Sequence, residues 1–163
     1  MDRLWAPWRM AYIDGLKQPG GCFLCEAAAS RDDAANLVLS RGATCLCVLN
    51  RYPYNNGHVL VAPIAHKADL TELTADEMLE LMQTTARLQQ ALRQLMSPHG
   101  FNLGINLGHA AGAGLPGHLH LHIVPRWQGD TNFMPAVGEV KVIPESLEAV
   151  YAKLSQALRD GGE

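Results

Sequence analysis

Every second residue of one short segment in the C-terminal third of the chain is a histidine, namely His118, His120 and His122. The positions 119, 121 and 123 are aliphatic. Because side chains alternate between the two faces of a β-strand, this order predicts a strand with imidazoles on one face and apolar groups on the other. Side chains two residues apart on a strand are separated by about 6.6–6.8 Å, so the imidazoles extend over roughly 13 Å. Folding does not require such a row, which therefore indicates a functional site.

Length and composition are those of an ordinary globular domain. The chain has 163 residues, of which 48% are hydrophobic and 18% are charged, and this predicts one domain, 1–163, with its own core. The net charge of −3 gives no general attraction to nucleic acid, so an anionic ligand must be held locally. The chain has no run of about 18 apolar residues and no signal-peptide layout, so we expect no membrane association and a cytoplasmic location.

Local patterns predict an α+β fold. Thr74-Ala-Asp-Glu77 is a capping box, which begins a long amphipathic helix that ends before Pro98. A second helix is expected at 145–159, and β-prone segments lie at 36–40, 43–50, 57–62, 101–107 and 118–124. This order predicts a five-stranded antiparallel sheet with one long helix and one C-terminal helix. The domain would consist of an N-terminal arm, a core and a C-terminal segment, at 1–21, 22–127 and 128–163.

The segment that leads into the histidine strand is rich in glycine, with four glycines among residues 108–117. Taken alone, such a segment is typical of a long flexible connection. A glycine-rich turn also lets backbone N–H groups approach a ligand closely and form a concave anion site. A phosphate held there would lie within reach of an imidazole, which is a competent nucleophile when it is neutral. The position of the loop therefore favours phosphate binding.

The four cysteines form two pairs of different character. Cys22 and Cys25 have the spacing at which two thiolates grip one face of a tetrahedral zinc ion. A redox dithiol and a pair of buried thiols are the alternatives, and the lack of a βαβ pattern around the motif weakens the redox interpretation. Cys45 and Cys47 fall on one face of an apolar strand and are expected to be small core residues.

The histidine strand and the strand before it together resemble the histidine triad (HIT) superfamily of nucleotidyl hydrolases and transferases. Residues 118–124 match its signature of histidines alternating with hydrophobic residues, and Gly57-His-Val-Leu-Val-Ala-Pro63 matches its upstream strand. The likeness covers nearly the whole chain. The segments 125–127 and 129–135, which follow the triad, are similar to the branch that acts on dinucleoside polyphosphates, such as bacterial diadenosine tetraphosphate phosphorylase-like proteins.

The resemblance implies roles for individual residues. The middle histidine of the triad is the nucleophile in this family, which would be His120, and His122 would stabilise charge on the phosphate together with loop amides. The other implied binding positions are Asn50 and His58 for the nucleoside, and Asn106 and the glycine loop at Gly114 for phosphate. Many members carry a polar side chain just before the triad, whereas residues 113–117 offer none. His109 is either a replacement for that donor or an ordinary surface residue.

Similarity to the related galactose-1-phosphate uridylyltransferases implies a zinc ion. The matching ligand positions are Cys22, Cys25, His66 and His118. Four ligands of these types would close a tetrahedral structural site with no open position. In that arrangement His118 fixes the strand, while His120 and His122 face the phosphate.

The resemblance implies an enzyme that cleaves dinucleoside polyphosphates or related nucleotides at the α-phosphate, through a nucleotidyl-histidine intermediate. The sequence leaves open whether water or inorganic phosphate then accepts the nucleotidyl group. Two other classes also stay open: a metal-dependent hydrolase with His118 and His120 as ligands, and a nucleotide-binding or sensing module with little turnover. The likeness further implies a homodimer formed through the long helix and an adjoining strand, with the segment after Trp127 close to the partner's active site.

Overall fold

A computed structural model describes residues 21–130 and 143–160 of the chain. The expected N-terminal arm, apart from Gly21, lies outside the described residues. The same is true of residues 131–142, which make up much of the segment that was expected near a partner's active site.

Five short strands form one antiparallel sheet in the order β1-β2-β3-β5-β4. Their bounds are β1 Val38–Arg41, β2 Cys45–Leu49, β3 Val59–Pro63, β4 Gly100–Ile105 and β5 Leu121–Arg126. The predicted number of strands and their antiparallel arrangement are confirmed. The histidine strand β5 pairs on both sides, with β3 and β4, whereas β4 forms one edge of the sheet.

Among residues 21–130 and 143–160, three α-helices accompany the sheet: α1 Phe23–Ala29, α2 Ala75–Met96 and α3 Leu147–Asp160. The long helix and the C-terminal helix are as predicted, and the capping box of α2 is present, with Thr74 and Glu77 each accepting from the other's backbone N–H. The chain leaves α2 at Ser97, whose φ of 46° is left-handed. Within residues 21–130 and 143–160, no helix combines the length and the apolar character needed to cross a bilayer.

The helix α1 was not predicted from the sequence. It has seven residues, too few for an apolar period to be evident, and its N-cap is Cys22 rather than one of the usual capping residues. The Cys22 sulfur accepts from the Cys25 N–H at 3.5 Å. Arg41 of β1 donates to three carbonyl groups at the other end of the helix, which ties α1 to the sheet.

The two faces of the sheet pack against different helices. Leu121 and Ile123 of β5 belong to the larger core, which includes residues of α2 and α3. Leu46 and Leu60 belong to a second cluster, which includes residues of α1. His122 pairs with Leu60 and alternates with the residues of the larger core, so it lies on the α1 side of the sheet.

The histidine strand begins later than predicted, because the paired part of β5 starts at Leu121. The N–H of Leu119 donates to the carbonyl of Lys67 at 2.7 Å, beyond the end of β3. His118 and His120 therefore precede the paired strand. The alternation of faces nevertheless continues through this segment, since Leu119 and Leu121 both pack in the larger core.

Cys45 and Cys47 are buried in the larger core, with 2% and 0% of their surfaces exposed. Their predicted assignment to the core is confirmed. Burial raises the pKa of both thiols, so both stay protonated near neutral pH.

Candidate active site and metal centre

The three histidines of the triad segment are almost completely enclosed. The exposed fractions of His118, His120 and His122 are 0%, 6% and 9%. Each imidazole therefore has a defined set of neighbours. The hydrogen bonds to those neighbours decide which ring nitrogen carries the proton.

The ring of His120 is fixed by the backbone of the residue two positions earlier. Its Nδ1 lies 2.8 Å from the carbonyl oxygen of His118. Because a carbonyl only accepts, Nδ1 carries the proton and Nε2 keeps its lone pair. Burial lowers the pKa of His120, and the bond to the His118 carbonyl opposes this only in part, so the ring is uncharged near neutral pH. The arrangement presents Nε2 of His120 as a nucleophile.

His122 has the opposite tautomer, which follows from a chain of hydrogen bonds through His58. The backbone N–H of Tyr54 donates to His58 Nδ1 at 3.0 Å, so His58 carries its proton on Nε2. That Nε2 lies 2.9 Å from His122 Nδ1 and donates to it. His122 therefore carries its proton on Nε2.

Asn50 supports the same assignment. Its side-chain nitrogen lies 3.2 Å from His58 Nδ1, and its side-chain oxygen accepts from the Tyr52 N–H at 2.9 Å. The Tyr52 bond fixes which end of the amide is the oxygen, so the nitrogen faces His58 as a second donor.

The Nε2–H of His122 is a donor without a partner among the described residues. This nitrogen is buried and makes no hydrogen bond to any of the residues that the structure describes. Burial, with a smaller effect of His120, lowers the pKa of His122 to about 4, so the ring is neutral near pH 7. The site thus combines a lone pair on His120 with a hydrogen-bond donor on His122. This combination suits an anionic group that is attacked at one atom and stabilised at another.

The glycine loop lies directly before the triad. Gly108 and Gly112 have φ values of 76° and 84°, which favour glycine. Gly114 is partly buried, and His109 is exposed. Asn106 follows the last β4–β5 pair, Ile105 with Leu121, so its position comes opposite His120.

Cys22, Cys25, His66 and His118 meet beside the triad. Their sulfur and ring nitrogen atoms all lie within 4.8 Å of one another. The Nδ1 of His118 is 3.1 Å from the Cys22 sulfur and 3.5 Å from the Cys25 sulfur. The Cys25 sulfur is also 3.2 Å from the Nδ1 of His66. Metal–ligand bonds of about 2.0–2.3 Å place neighbouring tetrahedral ligands roughly 3.3–3.8 Å apart. Three of the separations, 3.1–3.5 Å, lie near this range, so the four side chains form a cluster that could hold one metal ion.

His118 joins this cluster to the nucleophile. Its Nε2 donates to the Pro63 carbonyl at 2.8 Å, which fixes the ring and leaves the lone pair of Nδ1 facing the two sulfur atoms. Its own carbonyl accepts from His120 Nδ1. The ligand cluster includes His118 but not His120, and this arrangement argues against a catalytic metal shared by those two residues.

A cavity of about 360 Å³ lies next to this site, between α1 and the ends of β1 and β2. Its lining includes Phe23, Glu26, Asn36, Leu37, Asn50 and Arg51. Asn50 therefore lines a cavity, and its predicted role in nucleoside binding stays a prediction. His58 is not in this lining: it has no exposed surface, and its ring lies against His122.

Comparison with known proteins identifies the family. The sequence pattern of the HIT domain matches residues 32–129. The chain belongs to the HIT domain family. A relative from Mycobacterium tuberculosis (strain ATCC 25618 / H37Rv), named AP-4-A phosphorylase, is 40% identical over 90% of this chain and 79% of its own length.

Two further relatives of this HIT protein are informative. An asymmetrical bis(5'-nucleosyl)-tetraphosphatase from Schizosaccharomyces pombe is 33% identical over 62% of this chain and 55% of its own length. The crystal structure of a Zn-bound histidine triad family protein from Mycobacterium smegmatis superimposes with a TM-score of 0.70 at 27% identity, covering 88% of this chain and 98% of that one.

Sequence reasoning missed two features of the site. The first is the ring of Tyr54, which packs against His58 and His122. The second is the pairing of His58 with His122. The sequence did contain a signal for the pairing, since two strands of alternating pattern place His58 and His122 on the same face once β3 and β5 pair.

Proposed function

We propose that this HIT protein cleaves dinucleoside polyphosphates at the α-phosphate through a nucleotidyl group on His120. One observation carries the proposal: His120 Nδ1 donates its proton to the His118 carbonyl. The lone pair of His120 is therefore on Nε2, which points away from that carbonyl and can act as the nucleophile. The names of the relatives from Mycobacterium tuberculosis and Schizosaccharomyces pombe support the substrate class.

The reaction would consist of two displacements at phosphorus. In the first, the lone pair of His120 Nε2 forms a bond to the α-phosphorus, and the bond to the bridging oxygen breaks, with its electrons leaving on the nucleoside polyphosphate. In the second, an oxygen of water or inorganic phosphate forms a bond to the same phosphorus, the N–P bond breaks with its electrons returning to His120 Nε2, and an attacking water releases a proton to the solvent. The His122 Nε2–H and the amides of the glycine loop would stabilise charge on the phosphoryl oxygens. Two inversions leave the configuration at phosphorus unchanged.

The nucleoside would occupy the cavity that contains Asn50 and Phe23. Phe23 supplies an aromatic surface on which a base can stack, and Asn50 and Arg51 supply polar groups. Asn106 would contact the phosphate from the position opposite His120. His58 would act behind His122 rather than on the nucleoside, because it is fully buried.

Zinc is the metal that the cluster of two cysteines and two histidines suits best. The four protein ligands complete a tetrahedron, so the ion would supply a structural cross-link between α1, the end of β3 and the triad segment. The Zn-bound relative from Mycobacterium smegmatis supports this choice. His118, once fixed by the metal, would hold the carbonyl that orients His120.

Product analysis with diadenosine tetraphosphate tests the proposed reaction. We expect ATP and AMP when only water is present, or ATP and ADP when inorganic phosphate is the acceptor, with labelled phosphate appearing in ADP. Formation of ADP alone without phosphate would place the cleavage away from the α-phosphorus and contradict the mechanism. Tight nucleotide binding without turnover would instead support a sensing module.

We also propose that the protein is a homodimer. The strand β4 is an edge of the sheet, and Leu103 on it and Leu107 just after it are exposed. Met78, Leu79 and Met82 of α2 are exposed as well, with exposed fractions of 42%, 57% and 53%. Exposed apolar residues and an unpaired strand edge mark surfaces that another chain covers.

Light scattering at micromolar concentration is expected to give about twice the chain mass of 17.7 kDa. Met82→Glu should shift the mass towards the monomer, because it buries a charge in the proposed interface. Leu70→Glu is the matched control, since Leu70 is an exposed leucine outside α2 and β4. A monomeric wild-type protein with full activity would rule out the dimer.

A further inference from the structure

Tyr54 lies in the turn between β2 and β3, and its ring covers the histidine pair of the active site. The ring centroid is 5.6 Å from that of His122, with an angle of 15° between the planes. It is 4.6 Å from the centroid of His58, at 38°. One side chain therefore packs on both imidazoles, while 41% of its own surface remains exposed.

The same residue contacts the pair through its backbone. The Tyr54 N–H donates to His58 Nδ1, and this bond, together with the donor nitrogen of Asn50, favours the tautomer in which His58 donates to His122. In the opposite tautomer, His58 Nδ1 would carry a proton pointing at the Tyr54 N–H, so two donors would face each other. His122 Nε2 would then bear a lone pair and would repel a phosphate oxygen.

Water competes with the protein for the ring nitrogens of His58 and His122. A water molecule that reaches the pair can donate to one ring nitrogen and accept from the other in either tautomer, so it weakens the preference for one of them. The pair is 0% and 9% exposed in the presence of the Tyr54 ring. Because that ring stacks on His122, its removal would open His122 to water.

We propose that Tyr54 is a positioning residue, whose backbone amide and ring together hold the His58–His122 pair in the tautomer that presents the His122 Nε2–H to the phosphate. Tyr54 acts on the phosphate through His122 and not by direct contact. The effect on turnover rests on the proposed function, whereas the effect on the tautomer does not.

Nuclear magnetic resonance on protein labelled with ¹⁵N at histidine tests the proposal without substrate. Long-range proton–nitrogen spectra report which ring nitrogen carries the proton, and the signal of His122 is assigned from its absence in His122→Ala. We expect a single Nε2–H tautomer for His122 in the wild type and in Tyr54→Phe, which keeps the ring. Tyr54→Ala should give an average of both tautomers.

Kinetics with diadenosine tetraphosphate supply the second readout. We expect Tyr54→Ala to lower kcat roughly tenfold with little change in KM, less than the 10²–10³-fold cost of losing a transition-state donor altogether. Tyr54→Phe should have the kcat of the wild type, because it keeps the ring. In the His122→Ala background, Tyr54→Ala should have no further effect, because the residue through which it acts is absent.

Three outcomes would overturn the proposal: an unchanged His122 tautomer in Tyr54→Ala, equal losses in Tyr54→Ala and Tyr54→Phe, or an additional loss in the His122→Ala background. The last two would indicate that Tyr54 contacts the substrate directly. If the tautomer responds as expected but diadenosine tetraphosphate is not cleaved, the proposed function fails while the role of Tyr54 stands.

Discussion

Replacing His120 by alanine is expected to lower kcat by roughly 10³–10⁶-fold, while nucleotide binding persists. The substitution removes the only protein atom proposed to bond to phosphorus. It leaves the His118 carbonyl, the His58–His122 pair and the nucleoside cavity in place, so KM or a nucleotide Kd should change little. Mass spectrometry of reactions quenched with denaturant at alkaline pH, where a bond between phosphorus and a histidine nitrogen survives, should detect a nucleotidyl adduct on the wild-type protein and none on the variant.

His99→Ala is a matched control for this experiment. The backbone N–H of His99 donates to the carbonyl of Arg126, at the far end of β5 from His120, and its ring accepts from the Gln128 N–H. Residues 120 and 126 are six positions apart, or about 20 Å along an extended strand. We expect normal turnover and a normal adduct for this variant. Turnover of His120→Ala close to that of the wild type would disprove the covalent mechanism.

The sheet and the long helix could be predicted because their signals are local. Alternation between polar and apolar residues identifies the two faces of β5, and a capping box marks the start of α2 within a few residues. The start of β5 was predicted too early, because the alternation continues through His118 and His120 although the pairing with β3 stops at Leu121 and the Leu119 N–H donates to Lys67 instead. Periodicity reports which way side chains face, and it does not report which backbone groups have a partner.

The site was predictable in its composition but not in its hydrogen bonds. The triad and the Cys22–Cys25 pair were identified from residue type and spacing, whereas His66 and His118 were implied as metal ligands by the resemblance to the galactose-1-phosphate uridylyltransferases. The structure brings the four side chains together. The tautomers depend on single backbone groups, such as the N–H of Tyr54 and the carbonyl of Pro63. Those contacts arise only when a turn closes on a strand, so no pattern along the chain encodes them. The burial of His58 likewise depends on contacts between distant parts of the chain, so the local sequence did not reveal it.

The second large effect concerns the metal. One equivalent of zinc should copurify with the protein, and Cys22→Ser combined with Cys25→Ser should abolish it. We expect the Tm of the double variant to fall by at least about 4–8 °C, which corresponds to roughly 2 kcal/mol for a domain of this size. Two physical causes lower the stability. The cross-link to α1 is lost. The buried His118 also loses the partner of its Nδ1, although its Nε2 keeps the hydrogen bond to the Pro63 carbonyl.

Treatment with a chelator distinguishes loss of the metal from loss of side-chain packing as the cause of the lower Tm. Metal removal should lower the Tm of the wild type and leave that of the Cys22→Ser, Cys25→Ser variant unchanged, since that variant has no ion to lose. Cys45→Ala with Cys47→Ala is the matched control, because these two buried thiols lie in the larger core and outside the ligand cluster. The control variant should be less stable than the wild type and should still respond to the chelator. Two results would show that the four side chains stabilise the fold without a metal. One is the absence of zinc from freshly purified protein that was never exposed to a chelator, and the other is a wild-type Tm that does not change when the chelator is added.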